Sequence, residues 1–369
     1  MTMNEKLIYQ IALSMIPGVG GVLARNLVAY AGSVENIFRE SVNTLKKIPG
    51  IGEVNARRIK NKEVFKRAEK ELEFIQNKNI GVIFYTDKNY PRRLKNCADA
   101  PVLIYTQGDM NLDMERVVSV VGTRNATDYG KQVCDELIRQ ISERNYSVLI
   151  VSGLAYGIDI HAHKSALKYG LPTVGVVAHG LDKLYPSLHK EIALKMLENG
   201  GILTDFPSET KIDPPNFLRR NRIIAGLADA TLVIESAEKG GALVTADIAF
   251  SYNRDVFAFP GRAGDMYSQG CNKLIRNNGA SLITGIDDLE FFMGWERTDK
   301  EKIVQPSLFV DLTAEEEKVV NLLKENGTLF IDQISAEMGL PVSRTSAMLL
   351  NLEFKNVLVA LPGKMYKLR

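Results

Sequence analysis

Between residues 80 and 295 the sequence alternates short apolar runs with segments whose apolar residues recur at helical spacing, and few folds accept that rhythm. The runs are Ile80–Tyr85, Val102–Tyr105, Val117–Val121, Val148–Val151, Thr173–Val177, Ile202–Thr204, Thr231–Ile234, Val256–Phe259 and Ser281–Ile283. Between them lie pieces such as Tyr129–Ser142, Ile158–Tyr169, His189–Glu198 and Ala242–Tyr252. Short apolar strands separated by helices predict a mostly parallel sheet covered on both faces. Nine runs exceed a minimal six-stranded doubly wound sheet, so an extended Rossmann-like α/β sheet is expected.

The residues on either side read differently. Ile16-Pro17-Gly18-Val19-Gly20, with Ala24 and Leu27 following, recurs as Ile48-Pro49-Gly50-Ile51-Gly52 with Ala56 and Ile59. The pattern resembles a tandem of helix-hairpin-helix motifs. Glycines permit the tight turn, and the next helix exposes backbone N–H groups that can hold a phosphate. Arg25 stands beside the first copy and Arg57 and Arg58 beside the second. Residues 1–80 hold 13 Lys and Arg against 8 Asp and Glu, although the whole chain carries only +2. Two readings stay open: the tandem touches DNA, or it only packs helices. Residues 296–308 are polar with a proline and read as a linker. After them come amphipathic Ala314–Glu325, then Phe330–Glu337, Met338-Gly339-Leu340-Pro341 and Val342–Phe354. Val357–Ala360, a Pro362-Gly363 turn and Lys364–Leu368 complete an expected winged helix. The expected domains are therefore a helical tandem at 1–79, the sheet at 80–295, the linker, and a winged helix at 309–369.

Several function classes are excluded. At about 150 residues per domain, 369 residues allow two to three domains. No apolar stretch reaches about 18 residues, so no membrane partner is expected. The N-terminus shows no basic segment followed by a long apolar run, so no signal peptide is read there. Cys97, Cys134 and Cys271 are odd in number and far apart, which leaves neither a disulfide framework nor a Cys-x-x-Cys metal site. A reducing cytoplasm is the expected compartment. No Gly-x-x-x-x-Gly-Lys-Ser/Thr occurs, and no Gly-x-Gly-x-x-Gly follows the first strand, so no nucleotide cofactor is expected. His161-x-His163 lacks a completing ligand, and i,i+2 side chains diverge on a helix; no metal is expected. No catalytic residue is assigned. Asp159 reads as a general base or as a helix cap, and Asp205 and Asp247 are isolated acids.

Loops at the C-terminal ends of the strands carry the chemistry, since ligands bind at that edge of an open α/β sheet. Gly122-Thr123-Arg124 follows one strand and precedes a helix; the glycine lets an anion approach and Arg124 can pair with a phosphate. Ser152-Gly153-Leu154-Ala155-Tyr156-Gly157-Ile158-Asp159 offers a hydroxyl and glycine N–H groups. Gly240-Gly241-Ala242 again leads into a helix. A fourth segment, Phe217-Leu218-Arg219-Arg220-Asn221-Arg222, joins an aromatic ring to three arginines, a pairing that suits a single-stranded nucleic acid. Arg219 and Arg220 are read as binding residues, whereas Arg222 is either a binding residue or a buried partner to an acid such as Asp229.

These segments and four more stand in consistent order: Gly180-Leu181-Asp182 with Tyr185-Pro186, Ile223-Ile224-Ala225-Gly226, Leu243-Val244-Thr245-Ala246, and Phe259-Pro260-Gly261 with Gly270-Cys271-Asn272. Together they resemble the DNA processing protein A (DprA, or Smf) family over residues 80 to 295. The resemblance implies a non-enzymatic protein that binds single-stranded DNA, forms a homodimer, and loads the RecA recombinase onto incoming DNA during natural transformation. It implies a phosphate on Arg124, a pocket lined by Gly122, Thr123, Ser152, Gly153, Gly240 and Gly241, and a base on Phe217, with Arg219 and Arg220 along the backbone. It also places Gly270–Ile283 at the dimer, with Leu274 and Ile275 as interface residues. The chain departs from the family pattern at Pro214 and Ser187, where basic residues occur in some members. It departs again at Leu218, and at Ala178-His179-Gly180, which brings His179 toward the pocket rim.

Two other classes compete. The Rossmann variant is similar to nucleoside monophosphate phosphoribohydrolases, whose Pro-Gly-Gly-x-Gly-Thr-x-x-Glu signature is only partly met by Lys239-Gly240-Gly241 and Asp247. Hydrolysis needs a correctly placed carboxylate. A duplex-DNA regulator would act through Val342–Phe354, which carries one arginine, Arg344, and is thin for phosphate neutralisation.

Overall fold

In the computed structural model, which describes residues 3–295, 312–355, 357–361 and 364–368, all nine expected runs are strands of one sheet. They are β1 (Gly81–Phe84), β2 (Leu103–Gln107), β3 (Arg116–Val121), β4 (Val148–Ser152), β5 (Thr173–Val176), β6 (Gly200–Thr204), β7 (Ala230–Val233), β8 (Asp255–Ala258) and β9 (Ser281–Leu282). The order is β1-β2-β6-β5-β4-β3-β7-β8-β9. β2 pairs antiparallel with β1 and β6, and every other pairing is parallel. From β3 the chain steps outward through β4, β5 and β6, then returns across β3 to β7. The strand order reverses there, so the loops leaving β3 and β7 diverge to opposite faces and open a crevice between them.

The pleat of β3 divides the core. Val117 and Val121 pack with Ile223, Ile224, Ala242 and Ala246 of helices Pro214–Leu227 and Gly241–Ser251. Val118 and Val120 face the other way, against Leu137, Ile138 and Ala162 of helices Asp128–Glu143 and Ile158–Lys168. Full burial of each such valine, leucine or isoleucine contributes roughly 1.5–3 kcal/mol, so truncating any of them loosens a helix that carries a loop of the crevice. The three cysteines are free and buried.

The described residues up to 80 fold as six helices, Met3–Ser14, Gly21–Ala31, Val34–Arg39, Val42–Leu45, Glu53–Ile59 and Glu63–Lys78. The repeat is visible in the backbone: Gly18 has φ +82° and Gly50 φ +84°, the left-handed conformation that each hairpin needs to reverse. Ile16, Val19 and Leu27 of one copy and Ile48, Ile51 and Ile59 of the other share a core with Phe84, Leu103 and Tyr105 of the sheet. The first copy is committed to that contact. Arg25 donates to the carbonyls of Ala98 and Ala100, the latter at 2.8 Å. A Cβ at Gly21 would strike the Ala100 carbonyl. In the second copy, Arg57 pairs with Glu53 at 2.9 Å and Arg58 donates to Pro17 O at 3.1 Å.

The chain divides into two units, Met1–Thr298 and Asp299–Arg369. The second has helices Ala314–Asn326, Ile331–Met338 and Val342–Phe354 and a three-stranded sheet of β10 (Leu329–Phe330), β12 (Met365–Leu368) and β11 (Leu358–Leu361), in that order. Thr313 and Glu316 close a capping box on the first helix, which satisfies two of its free N–H groups. Arg344 is paired with Glu315 at 3.0 Å. The linker expected at 296–308 and the Pro362-Gly363 turn lie outside the described residues. Among the described residues no helix is long and apolar enough to cross a membrane, and no group of three or more potential ligands is gathered for a metal.

Candidate nucleic-acid interface

β3, β4 and β7 deliver three loops to one edge of the sheet, and Thr123 joins them. Its N–H donates to the Glu235 carbonyl at 2.8 Å, and its own carbonyl accepts from the Ile158 N–H at 3.1 Å. Gly122 stands so close to Ile158 that a Cβ would overlap that side chain. Arg124 follows, exposed, with no ion pair or hydrogen bond among the described residues. Its guanidinium lies over the Phe217 ring, 5.4 Å from the centroid. The loops enclose a cleft of about 370 Å³ lined by Arg124, Phe217, Arg220, Lys239, Gly240 and Gly241, among others. Helix Gly241–Ser251 points its N-terminus into this cleft, and no atom lies within 4 Å of where a Gly241 side chain would begin. Unpaired N–H groups and the helix dipole favour an anion there.

Beneath the cleft lies a buried polar floor. Arg220 is 4% exposed and donates to the carbonyls of Gly153, at 2.6 Å, and Val176. It ties the β4 and β5 loops to its own helix. Burial lowers its pKa to about 10, against the pull of Asp159, so it stays charged at neutral pH. Asp159 accepts from the Ala155 and Gly153 amides; burial pushes its carboxyl up, while Arg220 and Arg124 oppose that shift. A Cβ at Gly153 would stand 2.5 Å from Asp159 Oδ2 and 2.6 Å from an Arg220 Nη1, so only glycine leaves the acid and the guanidinium room. Asp159 thus acts on the loop before its helix, close to the cap reading of its sequence.

Other expected residues lie elsewhere. Ser152 is fully buried and donates to the Val120 carbonyl at 2.6 Å, so its hydroxyl belongs to the sheet and not to the cleft. Arg219 is exposed but turns away from Arg124. It lies 5.1 Å from the Phe206 ring centroid, in a separate groove lined by residues 16–20 of the first hairpin and 205–210. Arg222 is paired with Asp205 and with the Asp99 carbonyl. The partner expected for it, Asp229, is taken by Arg93 at 2.6 Å. Leu274 and Ile275 are half-buried against the sheet core. His179 is buried, and it bridges the Gly180 carbonyl and the Tyr185 N–H instead of standing at the rim. His163 is fully buried on Thr173 Oγ1 at 2.7 Å, and burial lowers its pKa to about 3. Asp247, the acid needed by the hydrolase reading, is exposed and does not line the cleft.

Sequence reasoning passed over three contributors. Lys239 lines the cleft with no ion pair among the described residues, and a cation just before a Gly-Gly helix start was the available signal. Asn125 lines the same wall, and Asn221 lines it while reaching toward the Gly241 carbonyl at 3.4 Å.

Residues 81–293 match the family model described as DNA recombination-mediator protein A. Residues 11–62 match a SAM-like helix-hairpin-helix tandem, and 306–364 a DprA winged helix domain. Among curated proteins, Protein Smf of Synechocystis is 31% identical over 99% of this chain and 100% of its own length. DNA processing protein DprA of Bacillus subtilis is 37% identical over 64% of this chain and 80% of its own. Among solved structures, DNA processing protein A of Streptococcus pneumoniae superimposes with a TM-score of 0.62 at 30% identity, covering 78% of this chain and 98% of that one. The Helicobacter pylori protein, whose structure is described as showing a single-stranded DNA binding mode, gives a TM-score of 0.52 at 28% identity, over 58% of this chain and 95% of that one.

Proposed function

The chain belongs to the DNA recombination-mediator protein A family, and on that premise we propose that it binds single-stranded DNA in the cleft at the β3–β7 crevice. The family is one of DNA-binding recombination mediators, not of enzymes. One observation carries the binding reading: an unpaired guanidinium, Arg124, and a half-buried ring, Phe217, meet at the mouth of a cleft that ends on a helix N-terminus. A phosphate takes the Arg124 guanidinium, the Lys239 ammonium and the free N–H groups at Gly241. The adjoining base takes the face of Phe217. A base in a duplex is stacked and paired and has no free face to offer, so the ring selects for a single strand. The solved Helicobacter pylori relative, with its single-stranded DNA binding mode, supports this reading.

The further steps of the proposal are protection of incoming single-stranded DNA and its delivery to RecA during natural transformation, by a homodimer. Among the described residues β9 is the last strand at its edge of the sheet, and Leu282, Phe291 and Phe292 are exposed apolar side chains on it and on helix Ile286–Met293. Leu274 and Ile275 are half-buried against their own core, so the edge supports a dimer in which Leu282, Phe291 and Phe292 join them.

Fluorescence anisotropy with a labelled oligo-dT strand and a matching duplex, titrated over several salt concentrations, tests the binding step. Tight, salt-sensitive binding that prefers the single strand is expected. Equal or duplex-preferring binding overturns it. The delivery step is read by RecA filament formation on coated DNA, with and without the protein.

A further inference from the structure

Two exposed tyrosines beside the cleft have no part in the site described so far. Tyr156 follows β4 and is 44% exposed; Tyr185 follows β5 and is 41% exposed. Both line a notch that also contains Arg124, Phe217 and Arg220, and these last three continue it into the larger cleft. Neither tyrosine hydroxyl has a hydrogen-bond partner among the described residues.

Each tyrosine is anchored by a buried histidine, Tyr185 through its backbone and Tyr156 through its ring. His179 Nε2 accepts from the Tyr185 N–H at 3.1 Å, while its Nδ1 lies 2.8 Å from the Gly180 carbonyl. A carbonyl only accepts, so the proton sits on Nδ1 and the ring is neutral. His189 Nδ1 donates to the Leu154 carbonyl at 2.9 Å, and its ring meets Tyr156 edge-on at 5.0 Å and 71°. Gly157, with φ +75°, packs on the other flank, where a Cβ would strike the backbone of Thr123 and Arg124. That contact sets the Tyr156 loop directly beside Arg124. Tyr185 in turn stands 5.9 Å from Phe217, ring centre to ring centre.

A ring fixed in advance loses little conformational freedom when a ligand covers it. Exposed, fixed rings next to an unpaired guanidinium are the arrangement that stacked bases of a single strand use. We propose that Tyr156 and Tyr185 form a second base-stacking position, so that one strand lies over three rings, beginning at Phe217 beside the phosphate-binding loops. The proposal rests on the single-strand reading of the cleft and extends it. The ligand is the unpaired nucleobase next along a strand already anchored at Arg124. Every base has a face, so the position is tolerant of sequence. His179 and His189 are positioning residues for it.

The test is a length series of oligo-dT from about 4 to about 16 nucleotides, the range of site sizes known for single-strand folds. Its readout is the ratio of long-strand to short-strand affinity. Tyr156→Leu/Tyr185→Leu keeps apolar bulk and removes the rings, and it is expected to lower this ratio by at least about fivefold, the lower end of one base stack. Tyr156→Phe/Tyr185→Phe keeps the rings and is expected to keep the ratio. A 2-aminopurine scanned along the strand should be quenched at two positions by the native protein and by the Phe variant, but only at the Phe217 position by the Leu variant. Arg124→Ala is expected to weaken binding at every length. A Leu variant with the native ratio and native quenching, alongside a weakened Arg124→Ala, overturns the second position and leaves the cleft reading standing. Native affinity in Arg124→Ala overturns both.

Discussion

The guanidinium of Arg124 lies over the ring of Phe217, 5.4 Å from its centre, so in the free protein a cation rests on the surface that a base would use. Binding is then an exchange. The base takes the ring and Arg124 moves to the phosphate. An exposed cation–π contact contributes about 0.5–1 kcal/mol, whereas a stacked base contributes about 1–3 kcal/mol and Arg124 gains a charge-assisted partner. The exchange therefore runs toward the bound state. Phe217→Leu should weaken single-strand binding by about 0.5–2 kcal/mol, the stack less the contact given up. Anisotropy titration checks it, and a native affinity would make Phe217 a packing residue.

Arg124 and Arg219 should separate in their salt dependence. Each phosphate contact on a single strand adds about 0.7 to the slope of log affinity against log salt. Arg124→Ala should flatten the slope by about that amount. Arg219 lies on Phe206 in the groove beside the first hairpin, so Arg219→Ala should change the slope less. The reverse ranking would move the phosphate track to the helical side of the molecule.

Arg220→Ala should act on folding before it acts on DNA. The substitution removes the donors to Gly153 and Val176 and leaves buried Asp159 with only the more distant pull of exposed Arg124. Each buried carbonyl left without its charged donor costs about 1–3 kcal/mol. Urea unfolding should show the midpoint falling accordingly, and a loss below about 1 kcal/mol would mean that the floor relaxes around the gap.

Stability should fall with acid through His163. Its folded pKa is about 3, against about 6.5 when unfolded, because burial disfavours the charged ring. Between those values the unfolded chain binds the proton and the folded chain does not. The contribution is therefore complete above about pH 6.5 and is lost as pH falls toward 3, at up to about 1.4 kcal/mol per pH unit. His179, also held neutral by burial, pushes in the same direction. His163→Gln should flatten the drop in melting temperature between pH 7 and pH 5; an equal drop in both proteins would place the acid sensitivity elsewhere.

The sheet was legible because burial on both faces writes itself as apolar runs, and every expected strand has its place. The arginine cluster misled for a physical reason. Arg219, Arg220 and Arg222 are neighbours in sequence, but a helix turns about 100° per residue, so Arg220 leaves the face that Arg219 and Arg222, three residues apart, share. One lies on Phe206, one holds Gly153 and Val176 under the cleft, and one pairs with Asp205. Asp229 is near Arg222 in sequence, but it sits at the entrance to β7, where it accepts from Arg93 and the Val117 N–H. Ser152 misled in the opposite way. The strand runs one residue further than expected, which turns the hydroxyl into the sheet. Tyr156 and Tyr185 were visible in the sequence, but their meeting in one notch with Phe217 depends on how separate loops converge.

The two hairpins of the N-terminal tandem began with the same pattern and now live under unequal obligations. Because Arg25 and the Gly21 backbone grip Ala98–Ala100, and because Phe84, Leu103 and Tyr105 complete the tandem's core, the module cannot be excised cleanly. A chain beginning at residue 80 would turn the underside of β1 and β2 to water and invite those strands to stick to one another. What reads as a detachable accessory has become a wall of the main building. The first hairpin is gripped directly by the Ala98–Ala100 backbone, while the second is held through the shared core and through Arg58 on Pro17.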